Sequence, residues 1–199
     1  LLGLGPLALA APAGSVWVTE LNDEVTSGLV DKVVDDLEAA ERSSAGLIIL
    51  KIDTPGGFME PTRVLIQAIL DSPVPVVGFV APAGARSSSA GTYILTATHV
   101  AAMSPATNIG SATPVFFGFG DIDDTLKAKA VNDAAAQIRA LAQLRSRNAT
   151  WLETSVTESQ NITASEALDL GVIDLVAVNQ NDLLNQLAGR SVEVSGQAI

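Results

Sequence analysis

The feature that most constrains the fold is an alternation of short β-branched runs with longer amphipathic stretches, which begins at residue 16. Residues 16–19 (VWVT), 47–50 (LIIL), 74–80 (VPVVGFV) and 100–103 (VAAM) have the character of strands. The continuous apolar run 47–50 is typical of a strand that is buried on both faces of a parallel sheet. Helical patterns lie between these runs, so the sequence predicts an α/β domain built of repeated strand-turn-helix units around a mostly parallel sheet.

Length and hydropathy favour one domain over residues 15–199. The 199 residues are 48% apolar, which is enough for one sizeable core. Residues 1–14 are small and apolar, as in the tail of a signal peptide or in an ordinary apolar N-terminal segment. No later apolar run approaches the ~18 residues that span a bilayer. We therefore expect an extracytoplasmic domain whose membrane anchor lies outside this chain.

Charge and the absence of cysteine argue against several classes of function. Eleven Lys and Arg against 22 Asp and Glu give a formal net charge of −11, which repels phosphate backbones and argues against nucleic-acid binding. The lack of Cys excludes disulfides, thiolate nucleophiles and cysteine-based zinc sites. We predict a protein that uses no metal and no cofactor.

A double glycine follows the second strand. Gly56 and Gly57 end the turn 53–57 (DTPGG), and glycine adopts backbone conformations that are closed to other residues. Their amide N–H groups can meet a ligand without a side chain in the way, as in the oxyanion hole of an acyl-transfer enzyme. The alternative is a purely structural turn.

A run of serines precedes the helix that follows the third strand. In 87–91 (SSSAG), Ser89 stands where a small-residue loop enters a helix, so its hydroxyl and the next N–H lie at the positive helix end. Ser89 is therefore a candidate nucleophile, or else a helix cap. A serine nucleophile needs a base. The one histidine, His99, begins a strand where packing or capping suits it better than catalysis, which leaves lysine.

Four segments resemble the NfeD family in sequence, order and spacing. They are 53–57 (DTPGG), 89–93 (SAGTY), 102–110 (AMSPATNIG) and 129–133 (KAVND). The similarity continues downstream and covers nearly all of residues 16–189. NfeD proteins are membrane-bound serine proteases with a ClpP-like fold, related more distantly to signal peptide peptidase A and the crotonases. The resemblance thus implies a ClpP/crotonase-like spiral of strand-turn-helix units.

The resemblance also implies roles for individual residues. Ser89 would be the nucleophile and Lys129 the general base of a Ser-Lys dyad. The backbone N–H groups of Gly57 and Ala90 would form the oxyanion hole, and Gly56 would shape the turn. A lysine acts as a base only when it is uncharged, so we expect Lys129 to be buried in a partly apolar cleft.

Three features near these residues leave alternatives open. Spacing alone does not exclude Lys127 as the base, although the family pattern favours Lys129. Ser87 and Ser88 stand where the family more often has small apolar residues, and they offer alternative hydroxyls. Residues 108–124 are rich in Gly and Phe and too irregular for one element, which predicts a flap or substrate-side loop.

The resemblance implies an extracytoplasmic serine endopeptidase. It would cleave apolar segments of membrane-associated proteins, a stomatin-like partner among them, through an acyl-enzyme. A second hypothesis is an inactive scaffold that binds a stomatin-like or membrane partner in the same groove. A third, a crotonase-type acyl-thioester enzyme, is disfavoured because coenzyme A brings phosphates to a chain of net charge −11. We expect a homodimer or a higher homo-oligomer.

Overall fold

Strands and helices alternate along the chain. A computed structural model describes residues 14–115 and 123–199. The strands in these residues are β1 (Val16–Leu21), β2 (Leu47–Ile52), β3 (Val76–Val80), β4 (Arg86–Ser88), β5 (Val100–Met103), β6 (Asn108–Gly110), β7 (Asn161–Thr163), β8 (Leu175–Val176), β9 (Glu193–Val194) and β10 (Gln197–Ala198). The helices are α1 (Ser27–Arg42), α2 (Met59–Asp71), α3 (Ala90–Ala97), α4 (Asp124–Leu144), α5 (Ala149–Thr157), α6 (Ala164–Asp169) and α7 (Gln180–Leu187).

The central sheet is parallel. Its strand order is β1-β2-β3-β5-β8, and each neighbouring pair runs in the same direction. A second sheet has the order β4-β6-β7, in which β4 and β6 are parallel and β6 and β7 antiparallel. Strands β9 and β10 form an antiparallel pair. The predicted α/β class with a mostly parallel sheet is therefore confirmed.

Side chains of β2 alternate between two apolar clusters. Ile48 and Leu50 belong to the larger cluster, which includes Val33 of α1 and Leu65 of α2. Ile49 points to the smaller cluster on the other face of the sheet, which includes residues of α7. The predicted burial of this strand on both faces is confirmed, and it follows from the apolar covering that parallel sheets require.

The structure corrects several expected boundaries. Residues 108–110 form β6, so this part of the expected flap is a strand. The last residue of the expected flap, Asp124, begins α4, and the N-cap is Asp123, whose side chain accepts from the N–H of Thr125. Residues 116–122 of the flap, and residues 1–13 of the expected signal-like segment, lie outside the described residues.

A survey of the helices within residues 14–115 and 123–199 finds none with both the length and the apolar character needed to cross a bilayer.

The buried guanidinium of Arg147 connects the C-terminal end of α3 to Asp174, which precedes β8. Arg147 is 6% exposed, and its guanidinium donates to the carbonyl oxygens of Thr96 (2.6 Å) and Thr98 (3.1 Å) and to the Asp174 carboxylate (2.7 Å). These contacts pair the buried charge and satisfy carbonyl groups at a helix C-terminus, where cations are favoured. His99 lies beside them, and its Nδ1 accepts from the N–H of Val76 at 3.1 Å.

His99 is expected to make stability depend on pH. Burial, together with the charges of Arg145 and Arg147, lowers the pKa of His99 from 6.5 to about 4. Its stabilising contribution is complete above pH 6.5 and is lost as the pH falls towards 4, because the unfolded chain takes up the proton first. We expect the free energy of unfolding to fall by roughly 3 kcal/mol from this group, as measured by urea unfolding across that range.

The variant His99→Asn is the matched control for this effect. Its amide oxygen can still accept from the N–H of Val76, but it does not titrate. The difference in stability between the two proteins should therefore shrink as the pH falls from 6.5 to 4. Parallel curves for both proteins would show that other groups cause the acid dependence.

Candidate active site

Ser89 joins β4 to α3 in an uncommon backbone conformation. Its φ of 51° and ψ of −117° are strained for a residue other than glycine. The N–H of Ser89 donates to the carbonyl oxygen of Gly110, and its own carbonyl oxygen accepts from the N–H of Thr92, both at 3.0 Å. Ser89 stands at the N-cap position, yet within the described residues its side chain makes no capping hydrogen bond. The half-buried hydroxyl is thus available for chemistry.

Thr54 connects the glycine turn to β4. Its backbone N–H donates to the carbonyl oxygen of Arg86 (2.8 Å), and its carbonyl oxygen accepts from the N–H of Ser88 (3.2 Å). Its buried hydroxyl accepts from the N–H of Gly56 at 3.1 Å. This role is not predicted from the sequence, although Thr54 lies inside the segment 53–57 that resembles the NfeD family.

Thr92 holds β4 against β6 from inside α3. Its hydroxyl lies within hydrogen-bond distance of the Ser87 carbonyl oxygen (2.9 Å) and of the Gly110 N–H (3.2 Å). Because Gly110 also accepts from the N–H of Ser89, Thr92 helps to fix the strained residue. It too lies in a family-like segment, 89–93, and its contacts depend on β6, which the sequence pattern does not predict.

Gly56 lies directly against the side chain of Ser89. A Cβ atom at position 56 would lie 2.5 Å from the Cβ and 2.9 Å from the Oγ of Ser89, and the φ of Gly56 is 118°. Both the space and the backbone conformation therefore require glycine. A Cβ at Gly57 would lie 2.4 Å from the backbone N and O of Val25, so the second glycine is required by close backbone packing.

Two backbone donors lie in the segments that meet at Ser89. Within residues 14–115 and 123–199, the N–H groups of Gly57 and Ala90 have no acceptor. The nitrogen of Ala90 would lie only 3.4 Å from a Cβ at Gly56, so the glycine turn and the start of α3 are adjacent. Four of the five predicted site residues, Gly56, Gly57, Ser89 and Ala90, thus lie together. This arrangement can stabilise an oxyanion formed at a carbonyl group that Ser89 attacks.

Across residues 14–115 and 123–199, Lys129 makes no hydrogen bond with this group. It is exposed on α4, and in the described part of the chain its ammonium group has no hydrogen bond or ion pair. The expected burial of Lys129 is not observed, because residues 124–129 are exposed on every side of the helix. Lys127 is exposed as well, and its ammonium group lies 3.4 Å from the Asp124 carboxylate.

Contacts one turn farther along place α4 beside α3. The hydroxyl of Tyr93 donates to the carbonyl oxygen of Ala112 at 3.0 Å. Burial raises the pKa of Tyr93, and the nearby Asp133 carboxylate raises it further. Asp133 also accepts from the guanidinium of Arg63 on α2 at 2.6 Å. Tyr93 and Asp133 each lie one helical turn after Ser89 and Lys129, so the two helices meet next to the candidate dyad.

The neighbouring serines differ from Ser89 in environment. Ser87 is fully buried, and its hydroxyl has no hydrogen-bond partner among the described residues. Ser88 is half-buried on β4. His99 lies just past the opposite end of α3, and the N–H of Val76 donates to its ring, which agrees with the packing role expected from the sequence.

The sequence of this chain matches known proteins. Residues 15–196 match the family model described as "NfeD1b, N-terminal domain". The chain is 36% identical over 181 residues to the membrane-bound protease PH1510 of Pyrococcus horikoshii, a match that covers 90% of this chain and 41% of that protein. The chain therefore spans less than half of the length of this curated relative.

Two solved structures have the same fold. One is an alanine-for-serine mutant of the membrane-bound, stomatin-specific protease 1510-N, at a TM-score of 0.88 and 34% identity over 95% of this chain and 93% of that chain. The other is an alanine-for-lysine mutant of the same protease in complex with a substrate peptide, at a TM-score of 0.87 and 34% identity over 95% and 88% of the two chains. The enzyme class predicted from the sequence agrees with these names.

Proposed function

The chain belongs to the family of NfeD1b N-terminal domains, and from this membership we propose that it is a serine endopeptidase with Ser89 as nucleophile and Lys129 as general base. The observation that carries the proposal is the uncapped hydroxyl of Ser89 beside the unbonded N–H groups of Gly57 and Ala90. A nucleophile next to preorganised donors is the arrangement that acyl transfer requires.

The reaction proceeds through an acyl-enzyme. The Ser89 oxygen attacks the scissile carbonyl carbon while its proton passes to the neutral amine of Lys129. The carbonyl oxygen becomes an oxyanion that accepts from the N–H groups of Gly57 and Ala90. When the C–N bond breaks, Lys129 returns the proton to the leaving amine, and a water molecule then hydrolyses the ester by the same steps.

Two observations support Lys129 over Lys127 as the base. The serine and the lysine replaced in the two mutants of 1510-N are 41 positions apart in that protease, and Ser89 and Lys129 are 40 positions apart. Lys127 is 38 positions from Ser89 and already faces the Asp124 carboxylate. Because Lys129 is exposed on α4, this role requires the first turns of α4 to bring its amine to Ser89.

The substrate is an apolar segment of a membrane-associated protein. Three large apolar side chains are exposed in segments that adjoin site residues in the sequence: Phe58 directly after Gly57 (59%), Val115 three residues after Ala112 (65%) and Leu126 three residues before Lys129 (56%). They offer apolar surface to an extended peptide. Because 1510-N is named as stomatin-specific, we propose a stomatin-like protein as the partner.

The catalytic domain acts outside the cytoplasm and belongs to a longer membrane-bound protein. The named relative is membrane-bound, and this chain matches 41% of its length. A homodimer or higher homo-oligomer remains part of the proposal, and light scattering of the purified domain measures it.

A second candidate function is an inactive scaffold that binds the same partner. The exposed position of Lys129, which makes no hydrogen bond with Ser89 within the described residues, favours it. The two candidates differ in whether the hydroxyl of Ser89 reacts.

Covalent labelling separates the two functions. A fluorophosphonate probe should modify Ser89 of the folded domain, because the oxyanion hole stabilises the charged transition state of phosphonylation as it does that of acylation. Mass spectrometry of the digested protein locates the modification. Ser88→Ala should be labelled as the wild type is, and Ser89→Ala should not be labelled. A folded wild-type domain that resists labelling would favour the scaffold.

A further inference from the structure

A polar cavity lies at the end of α3 that is opposite to Ser89. Its volume is about 270 Å³, and the eight residues of α3 place it about 12 Å from the nucleophile. The polar lining comes from four parts of the chain: His99, Arg145 with Ser146, Asp174, and Arg190 with Ser191 and Glu193. Nothing in the proposed protease mechanism uses these residues.

The ring of His99 offers a hydrogen-bond donor to this cavity. Its Nδ1 accepts from the N–H of Val76 at 3.1 Å, so Nδ1 carries no proton and the neutral ring is protonated at Nε2. Nε2–H is then the donor that is left for a ligand. The hydroxyls of Ser146 and Ser191 can donate as well.

Two arginines at the cavity lack a paired carboxylate. Among residues 14–115 and 123–199, no carboxylate lies within 4.0 Å of the guanidinium of Arg145 or of Arg190. The Nε–H of Arg145 donates to the carbonyl oxygen of Ala97 at 2.9 Å. Its other N–H groups are left for a ligand.

Nearby negative charge does not cancel these cations. The Asp174 carboxylate accepts from the buried guanidinium of Arg147 and from the N–H of Ala101, both at 2.7 Å. With Asp174 paired in this way, Glu193 is the remaining carboxylate of the lining, against the two arginines Arg145 and Arg190. This local excess of positive charge occurs in a chain whose formal net charge is −11.

The cations also repel one another. Burial lowers the pKa of Arg145, the charge of Arg147 lowers it further, and Glu193 opposes both effects. The charges of Arg145 and Arg147 also lower the pKa of His99. An anion in the cavity would relieve this repulsion and would replace water as the acceptor of the unpaired N–H groups.

We propose that this cavity binds a small oxyanion, a phosphate group above all, through Arg145, Arg190 and the Nε2–H of His99. Guanidinium groups match the geometry of phosphate oxygens, and the cavity admits a phosphate group with little attached to it. The site is independent of the protease chemistry, so its test does not depend on catalysis.

The single histidine makes a direct test possible. Inorganic phosphate is titrated into the domain at pH 7 while the ring signals of His99 are followed by NMR, with sodium chloride at matched ionic strength as the reference. A saturable shift that chloride does not produce is expected. Because anion binding favours the charged ring, phosphate should also raise the pKa of His99 by about one unit.

Three variants test the assignment of the residues. Arg190→Gln, at the exposed rim, should weaken phosphate binding about tenfold. Glu193→Gln should strengthen it, because a repelling carboxylate is removed. Arg42→Gln on α1, where Arg42 pairs with Glu38, should leave binding unchanged.

Vesicle sedimentation distinguishes the two sources of phosphate. Binding of inorganic phosphate without binding to phosphatidylglycerol vesicles assigns a free solute, and binding to these vesicles but not to phosphatidylcholine vesicles, lost in Arg190→Gln, assigns a lipid headgroup. The proposal is overturned if phosphate and chloride shift His99 equally, or if Arg190→Gln and Glu193→Gln bind phosphate as the wild type does.

Discussion

Ser89→Ala is expected to lower kcat/KM for cleavage of an apolar peptide by at least about a thousandfold while the domain stays folded. The variant removes the attacking oxygen, and neither neighbouring hydroxyl replaces it, because Ser87 is fully buried and Ser88 belongs to β4. The substitution also removes no capping hydrogen bond, since the Ser89 side chain forms none within the described residues. Cleavage of a fluorogenic peptide from a stomatin-like protein measures the loss, and urea unfolding checks the fold.

Two adjacent serines provide matched controls for this experiment. Ser88→Ala should cleave at the wild-type rate. Ser87→Ala removes a buried hydroxyl that has no partner among the described residues, so it should be neutral or stabilise the domain by up to about 1 kcal/mol. If Ser89→Ala keeps wild-type activity, the nucleophile is wrong. If Ser87→Ala alone abolishes activity in a folded protein, Ser87 and not Ser89 takes part in the reaction.

Much of the fold could be predicted because its elements obey local rules. The run 47–50 is apolar at every position and is buried on both faces, as parallel strands are. Thr163 and Glu166 have the sequence spacing of a capping box, and the structure has both of its reciprocal hydrogen bonds. Where the prediction missed β6, the strand has three residues and a pairing partner that is distant in sequence, so no local pattern marks it.

The candidate site could be predicted in part. The glycine turn follows β2 of the central sheet and Ser89 follows β4 of the second sheet, and a parallel bridge between Thr54 and Ser87 brings the two segments together. The supporting hydrogen bonds of Thr54 and Thr92 could not be predicted, because they join segments that only the folded chain brings together. Nor could the position of Lys129, since it depends on how the start of α4 packs rather than on the spacing of the motif.

The structure also separates the domain into two chemically different ends. At one end of α3, unbonded backbone N–H groups surround a hydroxyl in a strained residue. At the other end, arginines gather at the carbonyl groups that terminate the helix. Both ends use the dipole of the same short helix, since its N-terminus favours negative charge and its C-terminus favours cations. An oxyanion formed at Ser89 is therefore stabilised by the helix as well as by the two N–H groups.

Lys129→Met is expected to lower kcat/KM about a thousandfold, as the loss of a general base does, with little change in stability. Methionine keeps much of the length of the side chain and its helix propensity but carries no amine. The side chain is exposed and makes no hydrogen bond or ion pair within residues 14–115 and 123–199, so a purely structural role predicts no loss of activity. A large loss therefore reports on chemistry.

Lys127→Met is the matched control for Lys129, because it lies on the same exposed turns of α4 and removes the same charge. It should keep most of the activity. Full activity in Lys129→Met together with a loss of activity in Lys127→Met would identify Lys127 as the base. Full activity in both would exclude the two lysines of α4 as the base, and a structure of Ser89→Ala with bound peptide would then show which group approaches position 89 in their place.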